Sequence, residues 1–307
     1  MKLIKHLKVA YMLSSHFGIV FGVTYLIEKI NVGKLSHKFM KIRMRKTKEW
    51  LVKKYSHLLK TENTYKTKNN RVVWVYWGQG EDNAPELVHA CINSMRKNIN
   101  CEVIVITNNN FSDYVKLDDA ILSKFKKGII TYTHFSDILR CELLKTQGGL
   151  WLDSTVLVTG FDPKIWERKF WTVRRNENRE IGSISYYRWN NAILKGDSDI
   201  YFYMSILFRE YWKENDEMID YFLIDYFMDM IFDYCPMCKK VVNSVPFNNE
   251  REFELMSIMN KEYDENQFNN LVEECFVHKL QRRKSLYKKT KEGKDTFYSF
   301  IIKKYIM

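Results

Sequence analysis

The chain has 307 residues, 46% hydrophobic and 15% aromatic, with only four prolines and twelve glycines. That composition excludes a disordered or collagen-like chain and favours long elements, an α/β fold rather than an all-β one. The formal net charge of +12 sits at the ends: residues 1–60 hold fourteen Lys and Arg against two Glu, residues 278–307 hold ten against two acids, and the span between is net negative. Nucleic-acid binders carry their charge on the folded module, interleaved with aromatics, so this distribution argues against nucleic acid and for an anionic membrane surface.

Residues 9–27 contain no Asp, Glu, Lys or Arg. That length suffices for a bilayer span, and Ser14, Gly18 and Gly22 repeat at the small-residue spacing of packed membrane helices. Ser14, Ser15 and His16 interrupt the run, so a helix lying on the membrane or against the protein is the competing reading. Leu35 to Lys60 reads as a second helix. Leu51, Tyr55, Leu58 and Leu59 form its apolar stripe, and Lys41, Arg43, Arg45, Lys46 and Lys48 form a basic band. Residues 1–70 are therefore expected to be a basic, helical, membrane-associating extension that ends in a polar linker from Thr61.

Arg71 to Trp77 reads as the first strand, followed by the loop Gly78-Gln79-Gly80. In open α/β sheets ligands bind beyond the carboxyl ends of strands, so Trp77 is placed to stack on a nucleobase. Pro85 opens a helix to Asn98, and Glu102 to Thr107 reads as a second buried strand with Asn108 at its exit.

From Phe135 to Gly160 the order is helix, diglycine, strand. Ile138, Leu139, Leu143 and Leu144 make a core-facing stripe, Gly148 and Gly149 end the helix, and Leu150 to Val158 reads as one apolar strand. Asp153 lies in the middle of that strand and needs a partner or a metal. Asp137 and Arg140 share a helix face three residues apart, and the topology brings both toward Asp153. Arg140 offers a planar fork for phosphate or sugar hydroxyls. A surface ion pair beside a structural aspartate is the competing reading.

The spacing of Ser136, Asp137, Arg140, Gly148, Gly149, Trp151, Asp153 and Thr155 resembles the DXD-containing glycosyltransferases of the capsular-polysaccharide and sugar-binding-region type (family 32-like). These are relatives of the yeast mannosyltransferases and the large clostridial glucosylating toxins. Further matches lie at Val72 to Gly80 with Pro85, and at His278-Lys279-Leu280. The resemblance covers residues 71 to about 281. It implies a GT-A-like, Rossmann-type nucleotide-binding sheet flanked by helices, with transfer of a hexose from a UDP-sugar and retention at the anomeric carbon. It also implies that Trp77 stacks on uracil beside Gly78, that Asn108 approaches the nucleoside, and that Asp137, Arg140 and Trp151 serve the sugar. A divalent ion, Mn²⁺ or Mg²⁺, is implied on Asp153 and on Thr155, which stands where the family has its second acid.

Beyond Gly160, Phe170 to Arg174 and Ile184 to Trp189 read as short strands. Asn190 and Asn191 then present amides to sugar hydroxyls or simply turn the chain. Ser198 to Lys213 and Glu214 to Tyr234 read as long helices, and Asp225 within the second is either a sugar- or acceptor-side carboxylate or a buried structural one. His278 is a candidate third metal ligand, and Lys279 a candidate counter-charge for the leaving diphosphate. Cys235, Cys238, Cys275 and His278 show Cys₃His zinc spacing, with buried free thiols in a reducing cytosol as the competing reading. Residues 282–307 read as a basic helical tail.

The expected protein is thus a glycosyltransferase at the cytoplasmic face of the bacterial inner membrane, acting on a lipid-linked or oligosaccharide acceptor of a surface glycan. A non-catalytic basic adaptor on a degenerate nucleotide-binding fold is the competing class.

Overall fold

A computed structural model describes residues 2–30, 33–176, 183–196 and 198–306. The head is built from α1 (Lys2–Phe17), α2 (Ile19–Ile30) and α3 (Lys34–Tyr55). The uncharged run expected as one helix is two. Gly18, at φ +109°, breaks it, a conformation that costs glycine little. The halves fold back antiparallel: His6 bonds the Tyr25 hydroxyl at 3.0 Å, and a side chain at Gly22 would collide with the Ala10 carbonyl and the Ser14 hydroxyl. The small-residue repeat therefore serves a hairpin contact. Among the described residues no helix is long and apolar enough to cross a membrane. As the stripe predicts, Leu51, Tyr55 and Leu59 are buried, but Arg43 and Lys48 of the basic band face the protein. Arg43 pairs with Glu28 and Asp220, and Lys48 with Asp229 and Asp233.

The body opens with β1 (Val72–Tyr76), α4 (Glu86–Asn98), β2 (Glu102–Ile106), α5 (Asp119–Lys126) and α6 (Tyr132–Thr146). Next come β3 (Leu150–Leu152), β4 (Val156–Val158), β5 (Phe170–Thr172) and β6 (Ile193–Gly196). The main sheet runs β2-β1-β3-β6-β5, with β1 parallel to both β2 and β3, and β6 antiparallel to β3 and β5. This is the expected α/β architecture of a largely parallel sheet flanked by helices, with a helical N-terminus. β2 is an edge strand and only half-buried, not the inner strand expected.

The apolar run 150–158 is two strands in two sheets. A turn at Asp153-Ser154-Thr155, closed by Val156 N–H to Asp153 C=O at 2.9 Å, separates them. Asp153 consequently caps β3 at its carboxyl end rather than interrupting a strand. Nor is Ile184–Trp189 a strand. Tyr186 and Tyr187 take positive φ, and the next strand begins only at Ile193.

The remainder is α7 (Asp199–Glu214), α8 (Leu223–Tyr234), α9 (Pro236–Asn243), α10 (Glu254–Ile258), α11 (Glu265–Glu274), β7 (Val277–Lys279) and α12 (Phe297–Tyr305). The second long helix starts nine residues late, because Asn215 ends α7 and Asp220 ties down the following loop through Phe222 N–H. β7 pairs antiparallel with β4, setting Lys279 opposite Val156. The tail is packed: Phe297, Ile301 and Ile302 of α12 are buried in a second apolar cluster with Leu87 and Cys91 of α4.

Gly149 holds the α6–β3 junction. It sits at φ +91°, and an added Cβ would lie 2.7 Å from the Val72 carbonyl and 2.8 Å from the Trp74 indole nitrogen. Gly149→Ala should therefore destabilise the protein by at least about 2 kcal/mol in denaturant titrations. A change below about 0.5 kcal/mol would show that the junction relaxes freely.

Candidate functional site

α6 ends in the diglycine beneath β1, which points its middle turns at the carboxyl end of β3. Arg140 is the hub there. Its Nη2 lies 3.1 Å from Asp137 Oδ1 and 3.2 Å from Asp153 Oδ1, its Nε donates to the Ser136 carbonyl, and Nη1 donates to the Asn191 carbonyl. The guanidinium also lies 5.0 Å from the Trp151 ring. Arg140 and Asp137 are buried, so this is an internal network and not a surface pair. With its donors engaged by the protein, Arg140 fixes Asp137, Asp153 and the Asn191 loop relative to one another.

Asp153 receives more. The buried Trp151 indole donates to Oδ1 at 3.0 Å, and Lys279 donates to Oδ2 at 2.8 Å and to Thr155 Oγ1 at 2.9 Å. Burial by itself raises a carboxyl pKa. Here Lys279, Arg140 and the Lys279 and Trp151 hydrogen bonds overturn that and hold Asp153 well below the usual carboxylate range.

Two clefts meet at this point. One, of about 600 Å³, is lined by Trp77, Gly78, Tyr132, Asp153, Thr155, Arg282 and Arg283, with the Arg282 guanidinium 5.4 Å from the Trp77 ring. The other, of about 390 Å³, holds Asp137, Trp189, Asn190, Asn191, Asp225 and Glu252. Thr133, Arg140, Asp153, Tyr221 and Lys279 line both. These volumes fall in the range of small-molecule sites.

In the second cleft Trp189 and Asn191 donate to Asp225 Oδ1 at 2.9 and 2.7 Å. Burial pushes the Asp225 carboxyl up to about 7, the nearby Asp137 charge adds to it, and those two hydrogen bonds oppose it. Asn190 Nδ2 donates to Glu252 at 2.5 Å, so its amide is engaged by the wall of the cleft.

Two placements correct the sequence reading. His278 does not join Asp153. Neighbouring strand residues point to opposite faces, and with Lys279 turned to the cleft His278 is buried, 3.2 Å from the Thr159 hydroxyl. Burial lowers its pKa to about 4, with Arg251 adding to the effect. Asn108 lies against Gly78 of the first cleft, accepting from the Tyr76 hydroxyl at 2.6 Å, and a side chain at Gly78 would press against both. The zinc quartet does not assemble either. Cys235 and Cys238 lie 3.0 Å apart in the main core, while Cys275 belongs to the second cluster and bonds the Val277 carbonyl. Among the described residues no three His, Cys, Asp or Glu side chains gather as a metal site.

The family description "Capsular polysaccharide synthesis protein" matches residues 27–301, from the last turn of α2 to α12. The chain belongs to that family. The curated proteins contain no match to it. A solved structure described as PaToxG Glycosyltransferase overlaps 67% of this chain and 83% of its own, at 14% identity and a TM-score of 0.39.

In this capsular polysaccharide synthesis protein several cleft residues carried no signal of their own. Trp189 and Tyr221 sit in loops whose course only the fold decides, and Glu252, paired with Arg175 at 3.3 Å, lies in an unremarkable polar stretch. Arg282 and Arg283 were legible in principle, because they continue the basic run that starts at Lys279.

Asp225 gives a test with a fixed sign. The folded carboxyl holds its proton more tightly than the unfolded one, so stability falls as pH rises from about 4 through about 7. Asp225→Asn keeps an acceptor for Trp189 and removes the half-buried anion. At pH 8 it should be more stable than the parent by about 1–3 kcal/mol, a gain that shrinks toward pH 4. Denaturant titrations at both pH values check this, and a pH-independent difference would exclude a half-buried anion at Asp225.

Proposed function

We propose that this capsular polysaccharide synthesis protein is a glycosyltransferase that moves a hexose from a UDP-sugar to a lipid-linked or oligosaccharide acceptor. The meeting of two unlike clefts at Asp153 carries this reading. The first is lined by the aromatic Trp77, with the Arg282 guanidinium 5.4 Å from its ring, and by the cations Lys279 and Arg283, which suits a base and the diphosphate it carries. The second is lined by acceptors and amides, Asp137, Asn191 and Asp225, which suit sugar hydroxyls.

In the transfer, the bond from C1 to the β-phosphate oxygen breaks with its electron pair on the diphosphate. A bond forms from the acceptor hydroxyl oxygen to C1, and the hydroxyl proton passes to the released diphosphate. The cations stabilise the charge that develops on the leaving group, and the second cleft orients the sugar and the acceptor. Of the ion the resemblance implies, the residues offer one carboxylate, Asp153, already engaged by Arg140 and Lys279. That donor set does not fit a resident divalent cation, and no step is routed through one.

Incubation with a panel of UDP-sugars, reading UDP release and thermal shift, tests the assignment. Trp77→Ala should weaken UDP binding by about 1–3 kcal/mol, the scale of base–aromatic stacking. UDP affinity unchanged in Trp77→Ala would remove the base from Trp77, and a panel without binding or turnover would favour the adaptor class.

The same reading places the enzyme on an anionic membrane, the cytoplasmic face of the inner membrane. Leu3, Ile4, Leu7 and Tyr11 of α1 are exposed and share one face at helical spacing, and so are Ile19, Val20, Val23 and Ile30 of α2. Exposed Lys5 and Lys8 flank the first set, and the one acid of the hairpin, Glu28, is buried against Arg43. Apolar faces with a cationic margin suit an anionic bilayer surface. Replacing Leu3, Leu7, Ile19 and Val23 by Ser should reduce co-sedimentation with phosphatidylglycerol vesicles about tenfold or more. Undiminished sedimentation of a folded variant would exclude the hairpin as the docking face.

A further inference from the structure

The DXD pattern calls for acids around a cation, and this chain provides a cation around an acid. Asp153 is the one acid of its turn, because Thr155 is neutral. Around them stand Arg140 at 3.2 Å and Lys279 at 2.8 Å from the carboxylate, with Arg282 and Arg283 lining the same cleft. Asp137 is engaged by the same Arg140 nitrogen, Nη2. A divalent ion bridging Asp153 and Thr155 would stand where the Lys279 ammonium stands, between Asp153 Oδ2 and Thr155 Oγ1. Placing it there would add two charges beside Lys279 and Arg140, whose charges Asp153 and Asp137 already balance.

The position of Lys279 is set by the main chain. β7 registers Lys279 against Val156, Lys279 N–H donates to the Glu252 carbonyl at 2.8 Å, and Leu280 N–H donates to the Thr155 carbonyl at 2.8 Å. The alternation that buries His278 in the core is the same one that turns Lys279 into the cleft. An ammonium held in this way has three donors, and Asp153 and Thr155 use two of them. The third has no partner among the described residues and suits a phosphate oxygen.

Resting on the reading of this cleft as the donor site, we propose that Lys279 replaces the divalent cation: the chain binds the donor diphosphate through Lys279, Arg282 and Arg283 and releases it without a metal ion. Asp153 then acts as the positioning group that aims the ammonium, and Thr155 is the neutral partner that leaves room for it. Every bond change is that of the transfer described above, with the ammonium in the place of the Lewis acid.

Calorimetry on the full chain, with UDP as the probe, tests this. The Kd for UDP should differ by less than about threefold between excess EDTA and added Mn²⁺. Lys279→Met should weaken UDP about tenfold or more in both conditions, with Lys279→Arg recovering part of the loss. The converse variant, Thr155→Asp with Lys279→Ala, rebuilds a pair of acids without the ammonium and should bind UDP only when Mn²⁺ is present. Wild-type binding that disappears in EDTA and returns with Mn²⁺ overturns the proposal and leaves the glycosyltransferase reading standing. A cooperatively melting wild-type protein that binds no UDP in either condition overturns the donor assignment and this proposal together.

Discussion

The charge of the cleft turns on Asp153, which both of its central cations share. Asp153 faces Arg140 from α6 and Lys279 from β7, two cations more than a hundred residues apart in the chain. Arg140 is buried and remains charged, its pKa raised by Asp153 and Asp137 against the cost of burial. A buried guanidinium of that kind is tolerable only while its acids stay in place. The Asp153 turn, the α6 helix and the β4–β7 pairing are therefore mutually dependent. Each brings a charge that the others neutralise, and each supplies a wall of the clefts.

The head is joined to the same walls by charge. Arg43 of α3 lies between Glu28 of the hairpin and Asp220 of the loop before α8, and Lys48 reaches Asp229, which also binds Arg188. The Asp220 loop carries Tyr221 into both clefts, and Arg188 precedes Trp189 in the second. The basic band of α3 thus has two uses. Arg43 and Lys48 anchor the head to the cleft walls, and exposed Lys41 and Arg45 face outward. A head anchored in this way holds the outer apolar faces of α1 and α2 in a fixed relation to the cleft.

The extents of α4 and α6, the strand β1, the diglycine and the apolar stripe of α3 were all legible because each is a local pattern. Helical period, glycine at positive φ and a run of β-branched residues report on the few residues around them. The convergence of Asp137, Arg140 and Asp153 was legible for the same reason, since seventeen positions and one tight junction connect all three. The departures share a different cause. Residues 150–158 look like one strand because apolarity does not reveal which sheet a residue joins, and the turn at Asp153 is stabilised by β7, more than a hundred residues away. Residues 9–27 look like one span because the run is uncharged, while Gly18 and the fit of Gly22 against Ala10 make it a hairpin.

The sequence by itself determined that the chain is an α/β protein with a basic helical head, and that one helix, one diglycine and one acid-bearing turn organise its centre. Those are consequences of period, propensity and charge, which neighbouring residues express together. Only the tertiary structure decided what stands beside the acid. His278 and Lys279 are adjacent in sequence and equally plausible on paper, yet the β4–β7 register buries one in the core and aims the other at Asp153. Which partner neutralises a half-buried carboxylate depends on the pairing of distant strands and the alternation of their side chains, and no local pattern in the sequence encodes that choice.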